Sequence, residues 1–148
     1  MKGDFHDMAR RLLPLPTAPY CEHFVIDEAA AIAAQLPGVR ASTDEHGNLR
    51  LDYDGAPEGQ RLVVTAHMDH PAMLYADRLS ARDYLFEQAG GVPVELAREA
   101  TVRIYDPGSS PDQAGVEARI TGFCDRHSAP VQSRGLQAPA FRVRTAAT

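Results

Sequence analysis

Arg61-Leu62-Val63-Val64-Thr65-Ala66-His67-Met68-Asp69-His70 sets the reading of the whole chain. Five residues, 62–66, run apolar without a polar break other than Thr65. Such a run is expected of a strand covered on both faces of a sheet. His67 and Asp69 close it. Two residues apart on a strand, they project to one face at its C-terminal end, where open α/β sheets place their sites. A neutral imidazole suits a metal, and a neighbouring carboxylate that takes its other ring N–H fixes the tautomer. On spacing alone, a polar strand end whose side chains bond each other and the following turn is the reading favoured over a metal site. His70 would point to the opposite face.

N-terminal to this run the pattern is helical, then hairpin-like. Met8, Leu12 and Leu13 give one short amphipathic helix in residues 1–13, ended by Pro14, Pro16 and Pro19. Val25, Ala29, Ile32, Ala33 and Leu36 recur at helical spacing over residues 22–36, and Pro37-Gly38 stops them. Residues 39–43, the polar turn 44–48, and Leu49, Leu51 and Tyr53 alternating with Arg50 and Asp52 form a hairpin. A further turn over residues 54–59 leads to the apolar run.

C-terminal to His70 the periodicity becomes that of short strands: residues 84–86, 92–96, 102–105 and 116–120, separated by Gly90-Gly91, Asp106-Pro107-Gly108 and residues 112–115. This suggests the start of a small barrel or sandwich. Beyond Gly122 no period is evident, and residues 123–148 are expected to be irregular.

Charge divides the chain at the same place. Residues 1–117 hold 10 basic and 19 acidic side chains, net −9, and residues 118–148 hold five Arg and one Asp, net +4, giving −5 for all 148 residues. A genuine basic tail or a change of reading frame would each produce such a junction. The acidic body argues against nucleic-acid binding, which needs a basic face. With 44% apolar residues there is enough for a compact core, and without a long apolar segment no membrane span or secretory leader is expected, so the chain is read as cytoplasmic. Cys21 and Cys124 form neither a disulfide framework nor a paired metal knuckle. Cys124-Asp125-Arg126-His127 lacks a second pair, and Cys21 and His23 are poorly placed as a dyad. Phosphate loops, dinucleotide fingerprints and serine-hydrolase elbows are absent from the sequence.

Pro14-Leu15-Pro16-Thr17 before a helix, the turn Asp44-Glu45-His46-Gly47-Asn48-Leu49, and Val63-Val64-Thr65-Ala66-His67-Met68-Asp69 together resemble the N-terminal part of co-catalytic di-zinc exopeptidases. Within these, the chain looks most like glutamyl and tetrahedral aminopeptidases, where the His-x-Asp strand runs into an inserted β-barrel domain. The resemblance spans roughly residues 8–122. It implies an α/β fold: the N-terminal part of a mixed-sheet catalytic domain over residues 1–72, the beginning of an inserted small β-barrel over 73–122, and an irregular basic tail over 123–148.

The resemblance further implies a site with two zinc ions, for which cobalt or manganese would also suit the ligands. His67 would be a ligand of one zinc, and Asp69 would be the catalytic-site carboxylate that orients this imidazole. The substrate class implied is a peptide, cut at its N-terminus by metal-activated water, and relatives assemble as homo-oligomers through the β-domain. The bridging Asp, the general-base Glu and the remaining ligands would follow the inserted domain, outside this sequence. The chain as given is therefore expected to be an inactive part of such an enzyme. The alternative is a non-catalytic homologue that uses residues 84–120 for binding or oligomerisation.

Overall fold

A computed structural model describes residues 5–55, 59, 61–110, 113, 115–132 and 135–146. The protein is mixed α/β with two sheets, one of them curled into a half-barrel. It divides into two compact units, residues 1–17 with 22–68, and residues 18–21 with 69–148.

In the first unit, α1 (Phe5–Leu12) and α2 (His23–Ala33) follow the helical spacing of the sequence. Arg11 Nε reaches Glu28 Oε1 at 2.5 Å and ties one helix to the other. Phe24, Ile32 and Ala33 form the buried side of α2. Gly38 follows, with φ +75°, a conformation that costs a residue with a Cβ and so ends the helical segment. Strands β1 (Val39–Thr43) and β2 (Leu49–Tyr53) then pair antiparallel, Val39 opposite Tyr53 and Thr43 opposite Leu49, as the alternation requires. The turns expected over 54–59 and 112–115 lie partly outside the described residues.

Two expected strands are absent. Residues 61–70 enter no ladder, so the strand expected over 62–66 is not formed. A strand exists only against a neighbour that takes up its N–H and C=O groups, and neither sheet of the described residues extends to this run. Leu62, Val63 and Val64 are accordingly 88%, 78% and 82% exposed rather than covered. Residues 92–96 likewise do not form a strand. Pro93 takes an extended conformation and opens a single helical turn, α3 (Val94–Ala97), whose Ala97 is buried. Proline at the head of a helix costs no hydrogen bond, and Glu95-Leu96-Ala97 are helix-favouring residues.

The second unit is one antiparallel sheet in the order β3-β4-β7-β6-β5, made by β3 (Ala72–Arg78), β4 (Asp83–Ala89), β5 (Thr101–Ile104), β6 (Val116–Cys124) and β7 (Ala140–Thr145). Bulges between Tyr75 and Asp77 and between Ile120 and Gly122 interrupt the register and increase local twist, which is how such sheets curl. One face buries Phe86, Ala118, Ile120, Phe141 and Val143, with Ala97 of α3 against them. At one end of the other face Leu85, Cys124 and Ala140 meet Val131 of α4 (Ala129–Gln132).

The region beyond Gly122 is therefore not irregular. It completes β6, supplies α4, and contributes β7, which pairs with β4 on one side and β6 on the other. Phe141 is 0% and Val143 1% exposed, while Arg142 and Arg144 between them face outward. That is a period-2 pattern within Phe141-Arg142-Val143-Arg144-Thr145, short enough to be hidden by the proline- and serine-containing stretch before it.

On the outward face Arg144 Nε donates to Asp83 Oδ1 at 2.6 Å, and Ser80 Oγ donates to Asp83 Oδ2 at 2.8 Å. The Arg144 guanidinium, and after it the Ser80 hydroxyl, hold the Asp83 carboxyl below its ordinary value. A carboxyl lowered on folding stabilises the fold above its unfolded pKa and loses that contribution as pH falls through the folded one. The melting temperature is thus expected to fall as pH drops below about 3.8, the ordinary Asp value, and Asp83→Asn is expected to flatten this part of the profile in a calorimetric pH series. Phe141→Ala is expected to cost about 3–5 kcal/mol in urea denaturation of the second unit, and an effect below about 1 kcal/mol would contradict the central placement of β7.

Candidate metal-binding segment

The segment 67–70 is positioned by its carbonyl side. Thr17, in the proline-rich stretch after α1, donates its hydroxyl to the Met68 carbonyl at 3.2 Å. Pro16 and Pro19 keep this stretch from coiling into a helix, and Thr17 bonds the chain 51 residues later. His67 is exposed, Asp69 half-buried and His70 exposed. His67 falls at the end of the first unit and Asp69 at the start of the second. The expectation that the two share one face of a sheet strand is not realised, because the strand itself is not formed.

Catalytic zinc takes three protein ligands and structural zinc four. Among the described residues no group of three or more His, Cys, Asp or Glu side chains converges on one point. His67, Asp69 and His70 thus do not by themselves make a donor set that fits a catalytic zinc.

The other candidates resolve into turns and packing. Cys124 is buried beside Leu85, Val131 and Ala140. Asp125 Oδ1 accepts the His127 N–H at 2.7 Å, and the Asp125 carbonyl accepts the Ser128 hydroxyl at 2.8 Å. Arg126 Nε donates to His127 Nε2 at 3.2 Å, so this His serves the turn into α4. Cys21 closes a tight turn on Ala18, and the ring of His23 lies 4.0 Å from that of Phe24.

The turn Asp44-Glu45-His46-Gly47-Asn48 is organised by its first residue. Asp44 Oδ1 accepts the backbone N–H of both His46 and Asn48 at 2.9 Å, and Oδ2 accepts Asn48 Nδ2 at 2.8 Å. Gly47 has φ +84°, which the turn needs and which a Cβ would strain. His46 is exposed. The Asn48 side-chain bond, then the backbone bonds, lower the Asp44 carboxyl from its ordinary value. Its role is architectural, fixing the register of the hairpin.

Comparison with models of protein families, with curated proteins and with solved structures finds no match for this chain. No helix among the described residues is long and apolar enough to cross a membrane.

Because Asp44 is lowered on folding, its contribution to the hairpin is complete above the ordinary Asp value of 3.8 and is lost as pH falls through its folded pKa. In an NMR titration the His46 and Asn48 amide protons are expected to shift upfield together, with a midpoint below 3.8. A midpoint at or above that value, or independent movement of the two amides, would contradict the bonding pattern.

Proposed function

We propose that the chain carries the N-terminal framework of a zinc aminopeptidase-type hydrolase and that on its own it does not hydrolyse peptides. One observation carries this reading. A helix and a hairpin lead to the apolar run ending in His67-Met68-Asp69, and an antiparallel β unit begins at that same Asp69. This is the order of parts implied by the resemblance to glutamyl and tetrahedral aminopeptidases.

In that reading His67 is one zinc ligand and Asp69 the carboxylate that orients it. Both are carried over by resemblance, as are the two-zinc site, the tolerance for cobalt or manganese and the peptide substrate. The missing carboxylates and imidazole would have to come from outside the present sequence. A single imidazole with a supporting carboxylate leaves most of the coordination sphere to water, which is why activity is not expected of this chain alone.

A second reading is a non-catalytic module that assembles through its β-rich part, whose five-stranded sheet ends, among the described residues, in β3 and β5. β5 is only four residues long and carries Arg103, features that discourage strand addition.

Zinc titration followed by calorimetry tests the first reading. The expected dissociation constant is weaker than about 1 μM, because about 8 kcal/mol is less than a complete structural site delivers. His67→Ala is expected to weaken it further, with no release of the N-terminal residue from a peptide panel by either protein. Affinity unchanged in His67→Ala would remove His67 from the site, and chelator-sensitive aminopeptidase activity of the purified chain would overturn the claim that it is inactive alone.

A further inference from the structure

The hairpin of the first unit is a two-stranded sheet whose two faces differ in chemistry. Val39, Ala41 and Thr43 stand opposite Tyr53, Leu51 and Leu49, and because side chains alternate along a strand these residues share one face. Arg40, Ser42, Arg50 and Asp52 occupy the other. Leu51 is 50% and Tyr53 66% exposed. A two-stranded ribbon is marginal in water, and a third or fourth strand that continues its apolar face makes it stable. The first unit gives this face little cover, since its buried hydrophobic residues, among those described, are Phe24, Ile32 and Ala33, all on α2.

The hydrogen bonds at the two ends of the hairpin identify which backbone groups are spare. The Asp54 N–H donates to the Gly38 carbonyl at 2.9 Å, and the Asp44 N–H to the Asn48 carbonyl at 3.1 Å. Along an antiparallel pair alternate residues direct both backbone groups at the partner. Between those two bonds, Arg40, Ser42, Arg50 and Asp52 are therefore the residues that bond across the hairpin. Leu49, Leu51 and Tyr53 direct their N–H and C=O groups to the outer edge of β2. Val39 obeys the same phase on β1, for its N–H turns away from β2 to the Leu36 carbonyl at 3.3 Å. Among the described residues no strand joins the outer edge of β2.

We propose that β2 pairs antiparallel with β2 of a second copy of this chain, about a two-fold axis at Leu51, joining two hairpins into one four-stranded sheet. Phase and charge together select this occupant and this register. Leu49, Leu51 and Tyr53 must meet one another across the axis, because only they have backbone groups on that edge. A pairing centred on Arg50 satisfies this but sets Arg50 against Arg50, and one centred on Asp52 sets Asp52 against Asp52. Both are like-charge pairs that oppose a ladder. Centring on Leu51 instead sets Arg50 opposite Asp52 on both sides of the axis and Leu49 opposite Tyr53 twice, and opposite charges and an aromatic beside an aliphatic residue are favourable cross-strand pairs.

No residue has to give up a partner. Within each chain Arg50 Nη2 donates to Asp52 Oδ1 at 2.8 Å, and the pairing leaves that bond in place while setting it beside an inverted copy of itself. The guanidinium has further N–H donors and the carboxylate further lone pairs for the second contact. A two-fold axis perpendicular to the sheet keeps the apolar faces of both hairpins on one side, and identical segments suit it because every favourable pair occurs twice. The pairing rests on β2 alone. It is independent of the peptidase reading, which concerns His67 and Asp69, and of any assembly through the second unit.

Sedimentation equilibrium and amide hydrogen exchange of the full chain test the proposal. One short strand from each copy makes a small interface, so a dimer with a dissociation constant weaker than about 1 μM is expected. Raising the concentration through that constant is expected to slow exchange of the Leu49, Leu51 and Tyr53 amides and to leave those of Arg50 and Asp52, already bonded within the hairpin, unchanged. Arg50→Asp and Asp52→Arg are each expected to weaken the dimer by about tenfold, because like charges then meet across the axis. An equimolar mixture of the two variants is expected to form a heterodimer within about threefold of the parent, since each then meets the opposite charge. That recovery requires folded hairpins and cannot come from the intrachain ion pair, which both variants lack. A chain still monomeric at about 1 mM would overturn the proposal. So would a dimer that leaves the Leu49, Leu51 and Tyr53 amides unslowed, the result expected of assembly through the second unit. A mixture no tighter than its parts overturns it when the His46 and Asn48 amide shifts show both hairpins formed, and where they do not, exchange of the parent decides.

Discussion

The insertion of β7 between β4 and β6 holds the larger unit together. Without it, β4 and β6 would each lose a ladder, and the face carrying Phe86, Ala118 and Ile120 would lose Phe141 and Val143 from its centre. Burial of a Phe and a Val is worth several kcal/mol in total, a large part of the stability of a small unit. Every other element of this unit takes its place relative to that strand. β3 and β5 are edges laid on β4 and β6, α3 sets Ala97 against the inner face, and α4 sets Val131 against Leu85 and Ala140 on the outer one. The last strand in the chain fills the middle of the sheet, so the sheet is complete only when residues 140–145 are in place.

The smaller unit shows the opposite condition. Its hairpin and α2 are local structures, specified by turn chemistry and helical spacing within about 30 residues, and they form as the sequence dictates. Its apolar run has no such local partner. A strand is a relation between two chain segments, so strand-forming residues specify readiness to pair and not the pairing itself. Residues 62–66 therefore join no ladder. The functional consequence falls on His67 and Asp69, whose common orientation depended on a pleat fixed by a sheet.

What was legible in the sequence follows this division. The hairpin over Val39–Thr43 and Leu49–Tyr53, both helices of the smaller unit and the β runs around 84–86, 102–105 and 116–120 were readable, because each is set by residues close together in the chain, whereas β3 was not foreseen. The strand expected over 92–96 failed because Val92, Val94 and Leu96 alternate like a strand, whereas Pro93 opens a turn that the alternation conceals. The largest misreading was the region after Gly122. Its one clear signal, Phe141 and Val143 alternating with Arg142 and Arg144, spans barely five residues, and its significance comes from β4, more than 50 residues earlier in the chain. The candidate metal site was legible only as two side chains at the end of an apolar run. The geometry that would make them a site was not encoded nearby, and the described residues do not assemble it.

The charge imbalance between the two ends of the sequence acquires a physical explanation in the sheet. Register places Arg119 of β6 directly opposite Arg144 of β7, a like-charge pair that opposes pairing. Each arginine is drawn outward to a carboxylate from the acidic part of the chain, Arg144 to Asp83 on β4 and Arg119 to Glu99 before β5. Glu87 accepts the backbone N–H groups of Gln137 and Ala138 through Oε1, joining the segment before β7 to the same acidic body. These exposed pairs are individually weak, but they share a direction: acidic groups from residues 83–99 meet donors from 119–144. A strand entering the middle of a sheet must present groups acceptable to both neighbours, and an arginine-bearing outer face on β7 suits an acidic β4. Two of the arginines beyond residue 118, Arg119 and Arg144, are thus matched by carboxylates of residues 83–99 within the second unit.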